Sequence, residues 1–352
     1  MYTRDNRWLI SSLQTLSLFG SLFFLHYYSE IFSEEEEQFN NFQGEAVRLS
    51  QREKILYQTT KIESGTNEED AFESVGGLQK HVDYLKSEVL TLLQRPELFM
   101  HSKLLQSPSG ILLYGPPGTG KTLLASCLAQ TVNATFLSLN AADLQSKWVG
   151  ESSKNVVALF SLARKLAPTV LFFDEFDGLF PSRNGREAAH QTEFITTFLS
   201  SWEGLSSDSD KWVLVIAATN QPNNIDAAAL RRVPCRLMVP LPDMDGRESI
   251  LKALLRTEHC AEGLERDLRL IAEATEGFSG SDLKEVCRAA SARAASDIFD
   301  KVRFKKGCGD DPNVSLDIGA SPACRPLDIE DLIISVSSRR PTGEMAKGIF
   351  TL

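Results

Sequence analysis

The pattern of apolar and polar positions divides the chain into an apolar N-terminal stretch, a polar segment and a long region with two alternating periodicities. In the long region, short apolar runs rich in Ile, Val, Leu and Phe are typical of buried strands, and they cover residues 111–114, 135–139, 169–173 and 212–217. Helical spacing occurs between them, at residues 122–130 and 153–166. This alternation predicts an α/β fold, in which helices cover both faces of a parallel sheet.

Strand patterns stop near residue 245, and the remaining apolar positions have helical spacing. This spacing predicts a small all-helical domain, which is followed by a mobile loop at residues 305–325 and a short helix that begins near Asp328. We therefore predict five parts: an N-terminal tail and anchor (1–30), an acidic and polar linker (31–70), an α/β domain (71–244), a helical domain (245–335) and a C-terminal tail (336–352).

The N-terminal stretch has the properties of a transmembrane helix. Residues 9–28 contain no Asp, Glu, Lys or Arg, and twenty helical residues span about 30 Å, the thickness of a bilayer core. Trp8 at one end, and Tyr27 and Tyr28 at the other, suit the two membrane interfaces. Two alternatives stay open. One is a secretory signal peptide, although no Ala-x-Ala-like cleavage site follows, and the other is an amphipathic helix buried in the protein core.

A polar segment separates this stretch from the α/β region. It contains four consecutive glutamates at residues 34–37, which we interpret as a solvent-exposed acidic stretch. Apolar positions are sparse over residues 38–70. We therefore expect a partly helical linker that lifts the body of the protein off the membrane.

Composition and charge narrow the function classes. Hydrophobic residues make up 42% of the chain and charged residues 24%, which excludes a collagen-like or wholly disordered protein. Lys and Arg minus Asp and Glu give 37 − 47 = −10, so a broad basic face for nucleic acid is not expected. The six cysteines are scattered and form no CxxC pair, which argues against a disulfide scaffold and against a zinc site.

A phosphate-binding motif follows the first predicted strand of the α/β region. Residues 115–122 read GPPGTGKT and match G-x-x-x-x-G-K-[ST] between a strand and a helix. Glycines let the backbone curl so that N–H groups point at phosphate oxygens, and the positive end of the following helix adds to this attraction. The motif predicts that this loop binds ATP and Mg²⁺, with Thr122 as a metal ligand. The predicted binding residues are Pro117, Gly118, Thr119, Gly120, Lys121, Thr122 and Leu123.

Two later strands deliver polar side chains to the same edge of the sheet. Asp174 and Glu175 follow the apolar run at residues 170–173, and Asn220 follows the last predicted strand. In an open α/β sheet, ligands bind at the carboxyl ends of the strands. We therefore expect Asp174 to hold Mg²⁺, Glu175 to activate the attacking water and Asn220 to position that water or to sense the γ-phosphate.

These motifs, in this order, resemble those of the AAA family of P-loop ATPases over residues 71–335. Val75 and Gly76 lie in a strip similar to the family's adenine-side segment, and Gly280 begins a segment similar to its lid helix. Residues 230–236 resemble the arginine-finger segment. The resemblance implies a homo-oligomeric ring, commonly a hexamer, in which Arg232 and Arg236 act on the γ-phosphate bound by the neighbouring subunit.

Within that family, the layout is similar to the membrane-anchored extractases of the outer mitochondrial membrane and of peroxisomes. Lys147, Trp148 and Val149 correspond to their substrate-gripping pore loop, although Val149 stands where a second aromatic is usual. The resemblance implies membrane-protein clients, including tail-anchored ones. Arg4 and Arg7 precede the predicted membrane span and favour a cytosolic N-terminus. The need for ATP instead favours a cytosolic C-terminal body, and we expect this second orientation because two arginines are a weak bias.

Three rival interpretations remain. A microtubule-severing or ESCRT-disassembling ATPase has the same module, although residues 29–70 look short for a helical recruitment domain. A non-enzymatic membrane scaffold with an inactive ATPase domain is disfavoured, because Lys121, Asp174, Glu175 and Asn220 are all present. A small-molecule kinase of the P-loop class is also disfavoured, because the arginine segment and the lid segment would have no role in such an enzyme.

Overall fold

The computed structural model describes residues 38–40, 46–60, 76–91, 110–140, 144, 151–181, 189–207, 212–306 and 325–342. Over these residues, helices and strands alternate and are followed by helices alone. No helix in these ranges is both long and apolar enough to cross a membrane. The anchor predicted at residues 9–28 lies outside the described residues, as does most of the loop predicted at residues 305–325.

Five parallel strands form the central sheet, in the order β4-β5-β6-β3-β7. They are β3 (Gly110–Tyr114), β4 (Thr135–Leu139), β5 (Thr169–Phe173), β6 (Val213–Thr219) and β7 (Cys235–Met238). Register aligns Tyr114 with Thr219 and Phe173 with Ala217. The carboxyl ends of β3, β5 and β6 therefore lie side by side at one edge, where the predicted polar residues follow them.

Alternate residues of the strands supply two cores, one on each face. On one face, Leu171 and Phe173 pack with α1 (Gln51–Thr60), α4 (Glu151–Lys165), α5 (Phe176–Leu179) and α6 (Ala189–Glu203). On the other face, Val170 and Phe172 pack with α2 (Gln79–Leu85), which continues as a π-helical turn (Lys86–Leu90), and with α3 (Lys121–Thr131). The predicted α/β architecture is therefore confirmed.

The helical domain has its own core of buried Leu, Ile, Val, Phe and Ala side chains. Its helices are α8 (Met244–Leu255), α9 (Leu264–Ala274), α10 (Gly280–Lys306) and α11 (Ile329–Ser337). Asp243 caps α8 and Asp328 caps α11 with side-chain hydrogen bonds to backbone N–H groups. The short α7 (Ala227–Leu230) and two 3-10 turns, Gly204–Ser207 and Pro222–Asn224, lie in the α/β domain.

One strand of the sheet is missing from the prediction. We placed residues 235 and 236 in the arginine segment and predicted no strand there, whereas the structure places residues 235–238 in β7, paired with β3. The strand is short, it lies at the edge of the sheet, and its side chains alternate between half-buried and exposed. Because a half-exposed edge strand lacks a continuous apolar run, its pattern is weak.

Part of the segment that we predicted as a partly helical linker packs against the α/β domain. Gln38–Asn40 (β1) and Ala46–Arg48 (β2) form an antiparallel pair, and α1 follows them. Leu49 and Leu56 are buried in the first core. Lys165 of α4 donates to the buried carboxylate of Glu53 at 2.7 Å. Few apolar residues are needed to pack α1 against the domain, because only one narrow face of the helix is buried.

Candidate nucleotide-binding site

The loop between β3 and α3 surrounds a buried lysine. The Lys121 side chain is 7% exposed, and its Nζ donates to the carbonyl oxygens of Gly115 at 3.0 Å and Pro116 at 2.8 Å. Its third donor reaches Oδ1 of Asn220 at 2.7 Å. The motif lysine and the polar residue after β6, which are 99 positions apart in the chain, are therefore in direct contact.

Burial has an electrostatic consequence for this lysine. Removal from water disfavours the ammonium form and lowers the pKa of Lys121 to about 8, while the nearby carboxylate of Asp174 partly opposes the shift. A buried cation with a lowered pKa is stabilised by any anion that reaches it. This loop therefore has the charge that a phosphate group requires.

A hydroxyl and a carboxylate lie beside the lysine. The hydroxyl of Thr122 donates to Oδ2 of Asp174 at 3.4 Å, and the N–H of Glu175 donates to the other oxygen, Oδ1, at 2.9 Å. Glu175 itself is exposed and has a left-handed backbone, with φ of 50°. Non-glycine residues in that region are uncommon, and they cluster at functional sites. Directly after it, Phe176 at the start of α5 and Phe180 at the end of α5 are both fully buried.

The helical domain closes the site from the opposite side. The N–H of Ser281, at the start of α10, donates to the carbonyl oxygen of Gly118 at 3.1 Å. Gly118 has φ of 73°, and a Cβ there would lie 2.7 Å from Oγ of Ser279. A side chain at this position would strain the backbone and separate the two domains, which explains why the loop has glycine here.

Between the two domains lies a cleft of about 660 Å³. It brings together the described members of the predicted binding set, which line it as Gly76, Pro117, Gly118, Thr119, Gly120, Lys121, Thr122, Leu123, Asp174, Asn220 and Gly280. Val75, also predicted to bind nucleotide, lies outside the described residues. Other lining residues, which we did not predict, come from the position before α2 and from the helical domain: Leu78, Ile250, Ala253, Leu254, Ser281 and Lys284.

The composition of the cleft fits a magnesium nucleotide. One end has the buried ammonium of Lys121 together with the hydroxyl and carboxylate of Thr122 and Asp174, which are oxygen ligands of the kind that Mg²⁺ prefers. The lining contributed by Leu78, just before α2, and by Ile250 and Leu254 of α8 is apolar. An apolar wall at one end and a charged pocket at the other suit a base and a polyphosphate respectively.

The two predicted arginine fingers lie elsewhere. Arg232 forms an ion pair with Glu203 at the end of α6, and Arg236 donates to the carbonyl oxygen of Leu230 at 3.0 Å. Among the described residues that line the cleft, neither arginine is present. The pore-loop residues Lys147, Trp148 and Val149 lie outside the described residues.

Sequence reasoning also missed a polar residue near the sheet edge. Asp177, two positions after Glu175, accepts a hydrogen bond from the hydroxyl of Thr219 at 2.6 Å. A carboxylate shortly after a strand gives no distinctive pattern by itself. Only the parallel pairing of β5 with β6 brings these two residues together.

Comparison with known proteins agrees with the geometry of the cleft. Residues 111–241 match a family model described as "ATPase family associated with various cellular activities (AAA)", and residues 265–306 match the AAA+ lid domain. The chain is similar to the crystal structure of the FIGL-1 AAA domain in complex with ADP, with a TM-score of 0.66 and 32% identity, covering 82% of this chain and 91% of that one.

Two groups of curated relatives carry different names. The outer mitochondrial transmembrane helix translocase of Homo sapiens is 39% identical over 245 residues, which is 70% of this chain and 67% of the relative, and that of Danio rerio is 40% identical over 66% of this chain. The chain spans 60% of the length of the Danio rerio protein. Fidgetin-like protein 1 of Xenopus tropicalis is 41% identical over 62% of this chain and 33% of its own length.

The match to the AAA model covers the nucleotide-binding loop and the acidic pair after β5, and the match to the lid model covers α10. The human relative and the FIGL-1 structure each match over most of the chain. The chain therefore belongs to the AAA family and is an ATPase.

Proposed function

We propose that this chain is a membrane-anchored AAA ATPase that uses ATP hydrolysis to extract mislocalised or tail-anchored membrane proteins by threading them through a ring. The ring is a homo-oligomer, most simply a hexamer, anchored by residues 9–28. The body faces the cytosol at the outer mitochondrial membrane, and the peroxisomal membrane is a second location. The relatives named transmembrane helix translocase support this proposal.

The observation that carries the proposal is the contact between Lys121 and Asn220 beside Asp174. Residues from β3, β5 and β6 converge there next to the lid, so that chemistry at the phosphates can be transmitted to the lid. The hydrogen bond from Ser281 to Gly118 already joins the lid to the phosphate-binding loop. A change in that loop therefore changes the position of the helical domain.

In the proposed reaction, Lys121 binds the β- and γ-phosphates. The carboxylate of Glu175 takes a proton from the attacking water, and the side chain of Asn220 holds that water in position. Arg232 and Arg236 of the neighbouring subunit stabilise the negative charge that develops in the transition state. Thr122 and Asp174 would hold Mg²⁺, which when bound supplies further neutralisation of the phosphate charge.

The mechanical step follows from the two-domain construction. Movement of the lid against the α/β domain shifts the segment that precedes α4, where the predicted pore loop lies. Trp148 then moves along the ring axis and grips client side chains by van der Waals contact, together with Lys147 and Val149. Such contact does not depend on sequence, so that many different clients can be pulled from the membrane.

Extraction from liposomes tests this function. A fluorescent tail-anchored protein and the full-length chain are placed in the same bilayer, and ATP-dependent release of the fluorescent protein is measured. Wild type is expected to release it, whereas Glu175→Gln is expected to bind ATP normally with turnover lowered by about 100-fold or more and to release none. Near-normal turnover by Glu175→Gln would remove Glu175 from the reaction, and no release by an actively hydrolysing wild type would refute extraction.

A second function has support from the fidgetin-like relatives. It is disassembly of a cytoskeletal or membrane-remodelling polymer by the same module. A pull-down with tubulin and with ESCRT-III subunits separates the two functions. Specific ATP-dependent retention of either polymer, without release of membrane proteins, would favour this alternative.

A further inference from the structure

A single buried hydroxyl connects the segments that follow β5 and β6. The hydroxyl of Thr219 donates to Oδ1 of Asp177 at 2.6 Å and accepts from the N–H of Gln221 at 2.9 Å. Thr219 is 1% exposed. The hydroxyl itself is therefore out of reach of solvent, although Asp177 is half-buried and Gln221 is exposed. Its loss would leave two polar groups without this partner.

The contact with Gln221 closes the turn that contains Asn220. Thr219 and Gln221 lie on either side of Asn220, and the hydrogen bond between them fixes the backbone there. The carbonyl oxygen of Thr219 also accepts from the N–H of Gly115 at 3.3 Å. Asn220 is thus held between the start of the phosphate-binding loop and the end of β6, with its Oδ1 on Lys121.

The contact with Asp177 fixes the position of Glu175. Asp177 lies in α5, which begins directly after Glu175, and the N–H of Gly178 donates to the carbonyl oxygen of Glu175 at 2.8 Å. Because α5 is a single short turn, a restraint on Asp177 is also a restraint on the backbone of Glu175. The bond from Thr219 to Asp177 therefore sets the position of Glu175 relative to Asn220.

We propose that Asp177 and Thr219 are positioning residues for ATP hydrolysis. Their hydrogen bond keeps the carboxylate of Glu175, which activates the water, at a fixed position relative to the amide of Asn220, which orients it. The proposal rests on the roles assigned above to Glu175 and Asn220. Neither Asp177 nor Thr219 lines the cleft among its described residues, so their loss affects turnover rather than nucleotide affinity. A backbone contact between the two segments remains when these side chains are changed, because the N–H of Asp226 donates to the carbonyl oxygen of Phe180 at 2.8 Å.

Three threonine variants of the full-length chain test the hydroxyl. Thr219→Val removes it at nearly constant volume, and Thr219→Ser keeps it. Thr275→Val is the matched control, because Thr275 is fully buried in the helical domain and its hydroxyl donates to the carbonyl oxygen of Ile271 at 2.7 Å. For each variant, kcat, the Kd for ATP and the thermal midpoint are measured.

We expect Thr219→Val to lower kcat by about 10- to 100-fold, since a displacement of about 1 Å costs this much, with the Kd for ATP little changed. Thr219→Ser should recover most of kcat. Thr275→Val should lower the thermal midpoint but not kcat. Equal kcat values for Thr219→Val and Thr275→Val would overturn the proposal, and so would a Thr219→Ser variant as impaired as Thr219→Val.

Asp177 gives a second route to the same contact if Thr219→Val fails to fold. Asp177→Ala should lower kcat as Thr219→Val does, and Asp177→Asn, whose amide oxygen still accepts, should largely restore it. The double variant Asp177→Ala/Thr219→Val should be no worse than Thr219→Val alone, because the contact that Asp177→Ala removes is already lost in Thr219→Val. Additive losses would contradict the proposal.

The same assays separate this inference from the proposed function. If Glu175→Gln is inactive and the variants at Asp177 and Thr219 are fully active, the positioning role alone fails. If Glu175→Gln hydrolyses ATP normally, the assigned catalytic roles fail before any question of positioning arises.

Discussion

At the scale of single residues, Lys121 is the group most changed by its surroundings. It donates two hydrogen bonds to carbonyl oxygens of the phosphate-binding loop and a third to Asn220, and burial lowers its pKa to about 8. The motif predicted a lysine that reaches phosphate, but it contained no information about burial. The contact with Asn220 could not be deduced from residue spacing, because it depends on the order of strands in the sheet.

The lowered pKa of Lys121 predicts how nucleotide affinity depends on pH. Below about pH 8 the amine carries a charge in the free protein, whereas above it the amine is neutral and must take up a proton when phosphate binds. ATP affinity should therefore fall by up to about tenfold per pH unit above that value. Titration with a fluorescent ATP analogue between neutral and alkaline pH measures the effect.

Lys121→Met provides the control for this titration. It lacks the titrating amine, so its affinity should be weaker and should change little over the same range of pH. A wild-type affinity that stays constant through the alkaline range, or a Lys121→Met variant with the same slope as wild type, would contradict the assignment.

At the scale of elements, strands that are buried on both faces could be predicted from the sequence, whereas elements that bury only part of their surface could not. The runs in β3, β4 and β5 carry an unambiguous signal because both faces of the sheet are buried. The edge strand β7 and the helix α1 each bury only part of their surface, so tertiary contacts rather than local pattern determine them. Likewise, the lining of the cleft by α8 and α10 depends on how the lid docks onto the α/β domain.

Adjacent residues of α1 test whether this helix belongs to the α/β domain. Leu56 is 5% exposed within the first core, and Ile55 beside it is 58% exposed. Leu56→Ala should lower the free energy of unfolding by about 2–5 kcal/mol, and Ile55→Ala by about 0.5 kcal/mol or less. Denaturant titration of both variants makes the comparison. Equally small effects would mean that the packing of α1 against the α/β domain contributes little to stability.

At the scale of the whole molecule, the proposed reaction needs more than one copy of the chain. Arg232 and Arg236 are bound to groups of their own subunit and do not line the described part of the cleft. Glu175 is likewise exposed and is not among the described residues that line the cleft. A site completed by a neighbouring subunit explains both features.

This explanation predicts that specific ATPase activity depends on protein concentration. The full-length chain in detergent should lose activity per molecule on dilution, because the ring dissociates and the arginines leave the neighbouring site. Activity and molecular mass are measured together across the dilution series. Constant specific activity in a sample whose mass is that of a monomer would contradict a shared site.

The coupling of hydrolysis to extraction is the central claim, and one paired measurement tests it most directly. ATP hydrolysis and release of a tail-anchored protein are recorded on the same liposomes for wild type and for Trp148→Ala. Wild type should do both, whereas Trp148→Ala should hydrolyse ATP at most of the wild-type rate and release almost no client. Unimpaired release by Trp148→Ala would contradict the gripping role of the loop, and hydrolysis without release by wild type would contradict the whole account.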